Sequence, residues 1–312
     1  MENLLLSFNV ISPIFFMMAV GYIIKRFKIL DEHTLNGMNN IAFKVFFPIM
    51  LFNSIYKTDL KDALNPSLIG FAVVVVVCIF LILCFIVPLI EKDSKKRGVL
   101  IQGIFRSNFV IFGLPIAISL CGPENIGATS LLIAVIVPLY NALSIVALEL
   151  HRNSKIQIKT VIKGILTNPL VIGGFVGILA LLIHLRLPTS LDTAVGDIAK
   201  ITTPLSLILL GGSFNFSDIQ GNKKQILIGV IGKLIIMPLI FIPICILVGF
   251  RGVQLIPLVV MIGAPPAVST FTMAGQMDAD QTLAGQLVVF GSIGSILTMF
   301  LWIFTLKTMG LF

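Results

Sequence analysis

Two stretches of this chain place residues able to do chemistry inside otherwise apolar sequence: "RSNFVIFGLPIAISLCG", starting at Arg106, and "GAPPAVSTFTMAGQ", starting at Gly263. Each holds glycine and proline, at Gly113 and Pro115 in the first and at Pro265 and Pro266 in the second. Proline removes a backbone donor and clashes with the carbonyl four residues back, so both helices are expected to break there. A break bares the amide donors that start the next half-helix, at the positive end of its dipole, and such an end favours an anion. Asn108 lies seven residues before Pro115, about two turns at 3.6 residues per turn, and so shares a face with the break. An amide offers two donors and an acceptor, which suits a carboxylate. Seven residues before Pro265 stands Leu258, so the second stretch must draw its polar groups from Ser269 and Thr270. The predicted site is therefore chemically asymmetric.

Charge points the same way. All 14 acidic residues fall in loops or near the ends of apolar runs, whereas Lys44, Arg106 and Lys233 sit within them. A charge in the bilayer interior is costly and marks a functional candidate; each of these three either serves an anion or pairs with backbone carbonyls and snorkels to an interface. The absence of mid-membrane carboxylates argues against a cation/proton antiporter. The four cysteines show no ligand spacing and read as small hydrophobes, and His33, His151 and His184 lie near run ends. No metal site, no cofactor and no nucleophile with its base is expected, so the chain does not read as an enzyme. The net charge of +8 comes from residues scattered over short loops, not from the clustered face that nucleic acid requires.

These residues must be carried by membrane helices. Of the 312 residues, 57% are hydrophobic and 12% charged, against about 25% charged in a soluble domain, and mean hydropathy is +1.06. Apolar runs near 9–24, 35–55, 67–90, 99–121, 125–149, 160–184, 194–214, 225–249, 254–275 and 281–306 predict about ten spans. Only Glu2 precedes the first run as a charge, so no cleaved leader is expected and the first span stays. An extracytoplasmic N-terminus puts Lys25, Arg26, Lys28, Lys92, Lys95, Lys96, Arg97, Arg152, Lys155, Lys159, Lys223 and Lys224 on the cytoplasmic side. The other side receives Lys57, Lys61, Arg186, Arg251 and Lys307. That bias follows the positive-inside rule, so both termini are expected to be extracytoplasmic in a multi-pass protein of the cytoplasmic membrane. The halves also align: Pro13 with Pro169, Gly21 with Gly177, Pro48 with Pro204 and Glu124 with Asp280 share one offset. Five spans per half make the second repeat inverted. The expected fold is an all-α polytopic membrane protein: residues 1–149 form the first five-helix repeat, 150–159 a short cytoplasmic linker and 160–312 the inverted repeat, with the fourth and ninth helices broken and crossing.

At these residues the sequence resembles the auxin efflux carrier family, which includes the plant PIN proteins and bacterial malate/malonate permeases. The second span, "NNIAFKVFFPIMLF", resembles the family's asparagine and proline nine residues apart, here Asn39 and Pro48. Asn108, Gly113 and Pro115 fit its fourth-span pattern, "GAPPAVSTF" resembles its second crossover, and Glu149 matches an acidic residue closing the fifth span. The resemblance implies a scaffold of spans 1, 2, 6 and 7, a mobile transport domain of spans 3–5 and 8–10, and an elevator-type alternating-access motion. It also implies substrate facing Asn108, Tyr140 and Asn141, and a homodimer formed through the scaffold. The function expected is secondary transport of a small organic anion, a carboxylate, by a permease surrounded by lipid. The alternative is a sodium- or proton-coupled symporter or antiporter of the same architecture with a different substrate, the hydroxyls and carbonyls around Ser269, Thr270, Thr272 and Gln286 offering hard oxygen ligands.

Overall fold

The computed structural model describes residues 2–57, 66–122, 125, 127–152, 162–163, 166–214 and 219–312. The expected linker lies outside the described residues from 153 onward, as does Glu124. The described chain is all helix and turn. Helix α1 spans Glu2–Arg26, α2 Glu32–Ile41, α3 Phe47–Tyr56, α4 Pro66–Ile90, α5 Ser94–Phe105, α6 Phe109–Cys121 and α7 Gly127–Arg152. In the second half α8 spans Pro169–Leu182, α9 Thr189–Ser213, α10 Ile219–Ile231, α11 Met237–Leu247, α12 Gly252–Gly263, α13 Ser269–Gln276 and α14 Gln281–Thr308. Among the described residues, five continuous helical stretches are long and apolar enough to cross a membrane: Pro66–Ile90, Gly127–Arg152, Thr189–Ser213, Ile219–Leu247 and Gln281–Thr308. Pro169–Leu182 and Gly252–Gly263 are shorter apolar helices. On α4, which is apolar on all sides, Leu81, Phe85 and Leu89 stay exposed, as suits a helix whose outer face meets lipid rather than water.

Local chemistry sets the helix starts. The Asp31 carboxylate accepts from the Thr34 N–H at 2.8 Å, and Asp280 accepts from the Leu283 N–H at 2.8 Å. Asn168 accepts from the Leu170 N–H at 2.9 Å, with Pro169 in the first turn where its missing donor is harmless. Two single π-type turns, Ala42–Phe46 and Gly232–Ile236, join α2 to α3 and α10 to α11. Each is followed by a proline at the second residue, Pro48 or Pro238. A proline ring would strike the carbonyl four residues back, and widening that turn moves the carbonyl away while the helix continues.

Close packing of α1 on α9 and of α3 on α8 builds one side of the molecule. A methyl group on Gly21 would fall on the Ile208 carbonyl, and one on Gly211 on the Met18 carbonyl. Gly173 lies against Pro48 and Gly177 against Phe52. Helices in a bilayer gain contact by bringing backbones together over small residues, and these four glycines permit it. The other side packs α5 on α7 and α4, and α14 on α10 and α13.

Candidate functional site

The first break falls between α5 and α6 at Arg106, Ser107 and Asn108, and the second between α12 and α13 at residues 264–268. The second agrees with its prolines. The first lies seven residues earlier than Pro115 led one to expect: Pro115 sits within α6, where the loss of one helical hydrogen bond is tolerated. The physical reason is in the partner break. Pro265 has no N–H, so the Met261 carbonyl, four residues back, loses its helical donor. It is satisfied instead by the Ser107 hydroxyl at 2.5 Å and the Tyr140 hydroxyl at 2.9 Å. The Asn108 N–H, freed by the interruption of its own helix, donates to the Pro265 carbonyl at 2.8 Å. The two breaks thus satisfy each other, and that exchange holds Arg106–Asn108 out of helix.

Arg106 is 4% exposed. Its guanidinium donates to Asn141 Oδ1 at 2.6 Å, to Ser269 Oγ at 2.5 Å and to Met273 Sδ at 2.8 Å. The Asn141 amide is itself held by a bond from Nδ2 to the Val137 carbonyl at 2.9 Å. All these partners are neutral. A second cation, Lys233, is 1% exposed and donates to Ser107 Oγ at 2.5 Å. The buried acids among the described residues, Glu91 and Glu149, are engaged at helix ends: Glu91 accepts from Gln225 Nε2 at 2.7 Å, and Glu149 pairs with Arg152 at 3.3 Å.

A cavity of about 50 Å³ opens at the crossing. Arg106, Ser107, Asn108, Tyr140, Asn141 and Ser269 face it from the breaks and α7, while Phe47, Met50 and Thr203 of α3 and α9 close its other wall. Asn108 is 8% exposed, lines the cavity and makes no capping bond to α6. Beside this cavity an apolar cleft of about 400 Å³ between α4, α7 and α8 also reaches Asn141. A wider chamber of about 580 Å³, rimmed by Lys25, Arg26 and Glu32, opens between the ends of α1 and α9 and the starts of α2 and α14.

Of the residues expected at the site, Arg106, Asn108, Tyr140, Asn141 and Ser269 come together. Pro265 and Pro266 shape the second break without lining the cavity, and Pro266 packs on Gly291. Gly113 packs α6 against Phe109 and Ile133; a methyl there would stand 3.1 Å from the Phe109 ring. Thr270 is fully buried, its hydroxyl without a partner. Lys44 is exposed in the first π-type turn and does not line the cavity. Ser107 and Met273 carry part of the network and escaped sequence reasoning. The signal that could have found Ser107 is the carbonyl that Pro265 orphans, which demands a donor from elsewhere in the chain.

An all-helical membrane protein with interrupted helices meeting around an unpaired buried cation has the form of a membrane transporter. The chain belongs to the membrane transport protein family, that of the auxin efflux carriers, whose model matches residues 6–303. An uncharacterized transporter of Methanocaldococcus jannaschii is 22% identical over 307 residues, covering 96% of this chain and 98% of that protein. An uncharacterized transporter of Methanothermobacter thermautotrophicus is 21% identical over 310 residues, covering 95% and 97%.

Proposed function

We propose that this chain is a secondary transporter that carries a small organic anion, a carboxylate, across the cytoplasmic membrane, binding it where the two breaks meet. The observation that carries the reading is Arg106, a buried guanidinium that lines the cavity with only neutral partners. A buried charge without a counter-charge is costly, and a carboxylate matches the planar fork of an arginine. The Asn108 amide and the Ser269 hydroxyl would complete its coordination.

An inverted repeat with residues 1–149 and 160–312 as its halves, joined by 150–159, is supported by the glycine contacts. Gly21 meets Ile208, and their counterparts at the sequence offset, Gly177 and Phe52, meet each other; Met18 with Gly211 is answered by Gly174 with Ile55. Spans 1, 2, 6 and 7 would then be the scaffold and the other six the transport domain. The cavity lies between Phe47, Met50 and Thr203 on one side and the breaks on the other, which suits an elevator motion of one body past the other. Lipid surrounds the protein, the scaffold faces a second copy, and both termini are extracytoplasmic, as the distribution of basic residues supports. Sodium coupling is a second reading, favoured by the buried, unpartnered hydroxyls of Thr270 and Thr272. A thermal-shift screen of mono- and dicarboxylates on the purified protein tests the main reading. At least one carboxylate should raise the melting temperature while matched amides and amines do not, and stabilisation by amines instead would overturn it.

A further inference from the structure

Lys233 does not itself line the cavity, yet it is buried beside the break. An ammonium carries three donors and accepts nothing. Among the described residues the acceptor that Lys233 meets is Ser107 Oγ, at 2.5 Å, and the Ser107 hydroxyl spends its own proton on the Met261 carbonyl. Two N–H groups of a charged Lys233 therefore stand without acceptors among the described residues.

Its charged and titratable surroundings offer no counter-ion. The π-type turn that carries Lys233 packs on α5, α10, α11, α12 and α14. From α5 comes Arg106 at one end and Lys95, Lys96 and Arg97 at the other. From α10 come Lys223 and Lys224, from α11 Cys245, from the start of α12 Arg251 and from the far end of α14 Lys307. Tyr140 of α7 approaches through the shared Met261 carbonyl. Not one of the five helices contains an aspartate or glutamate; Asp93 and Asp280 only cap α5 and α14. In the empty site the amine form of Lys233 keeps its bond to Ser107 and buries no charge, whereas the ammonium is under-bonded and has no counter-ion among the described residues. An anion in the cavity changes that balance, because Ser107 lines the cavity and touches Lys233.

We propose that Lys233 binds a proton as the carboxylate enters and releases it as the carboxylate leaves, making this carrier a proton–anion symporter. This rests on the anion site proposed above. The Nζ lone pair takes up a proton from water, no other bond changes, and the same proton returns to water on the far side. The linkage is reciprocal: whatever the anion does for the proton's affinity, the proton does for the anion's.

The experiment is a titration of purified protein with malonate and with indole-3-acetate, two probes fully ionised between about pH 7 and 9. It is run in buffers of different ionisation enthalpy so that the protons taken up are counted. For the wild type we expect about one proton taken up per anion at the alkaline end, where affinity falls about tenfold per pH unit. Lys233→Arg, charged throughout, should bind with no proton uptake and no pH slope. Ser107→Ala, which removes the contact between Lys233 and the cavity, should flatten the pH slope of whatever affinity remains. Binding that needs Arg106 but takes up no proton in the wild type overturns the coupling and leaves the anion site standing. An undiminished slope in Lys233→Arg likewise removes Lys233 from it. If neither probe binds at any pH, the anion site itself fails, and this inference fails with it.

Discussion

The two breaks do the same geometric work with opposite chemistry. The first, Arg106–Asn108, contains no proline and is rich in side-chain donors; the second, residues 264–268, contains two prolines and mostly small apolar side chains. Proline supplies the second break with orphaned carbonyls, and the first break answers with a hydroxyl and an N–H. The cavity-facing charge is left entirely to the first. Two breaks can thus hold an asymmetric site, because one needs only to be rigid and in need of donors while the other needs only to supply them.

The comparison breaks most visibly at Arg106. Arg106→Gln should weaken carboxylate binding by about 3 kcal/mol, roughly a hundredfold, as expected when one member of a buried charge pair is lost. Titration of the purified variant with whichever carboxylate stabilises the wild type reads this directly, and an affinity within threefold of wild type would remove the charge from the site.

Asn108→Ala is the next largest change, about 1 to 3 kcal/mol of binding, with the melting temperature near that of wild type. The backbone N–H that joins the breaks survives the substitution, and the side chain caps nothing. A lower melting temperature with unchanged affinity would instead assign Asn108 to the scaffolding of the break.

Pro265→Ala tests the other side of the comparison. It returns an N–H that can bond the Met261 carbonyl, in competition with Ser107 and Tyr140. Binding should weaken by about 1 kcal/mol, one hydrogen bond's worth, while thermal stability holds or rises. A loss as large as that of Arg106→Gln would mean that the second break holds the ligand itself.

The smallest effect lies far from both breaks. Burial pushes the Glu91 carboxyl up, but the Asp93 N–H at 2.8 Å, the Gln225 amide at 2.7 Å and the nearby Lys96 outweigh burial and hold it below the usual carboxylate value. Its stabilisation is present above the unfolded value, about 4.3, and is lost as the pH falls through the lower folded one. Melting curves from about pH 6 down to 3 should therefore show an acid-side loss that is smaller in Glu91→Gln, with carboxylate affinity at neutral pH the same in both.

That the chain is built of apolar, membrane-length helices was legible in the sequence, because apolar run length against bilayer thickness is a strong constraint. The second break was legible too, since proline acts on the carbonyl four residues behind it whatever surrounds it. Arg106, Asn108, Tyr140, Asn141 and Ser269 could be named from type, spacing and family resemblance. What only the tertiary structure decided is how they combine. The first break has no local breaker at Arg106–Asn108; it opens there because a carbonyl some 150 residues away needs a donor. The partners of Arg106 come from α7 and α13, 35 and 163 residues distant, and Lys233 joins the break across 126 residues. Lys44, as basic and as deep in its apolar run, stays exposed. Proline chemistry and hydrophobic length act within a few residues and so can be read along the chain, whereas a buried charge is placed by whichever distant groups the packing brings to it.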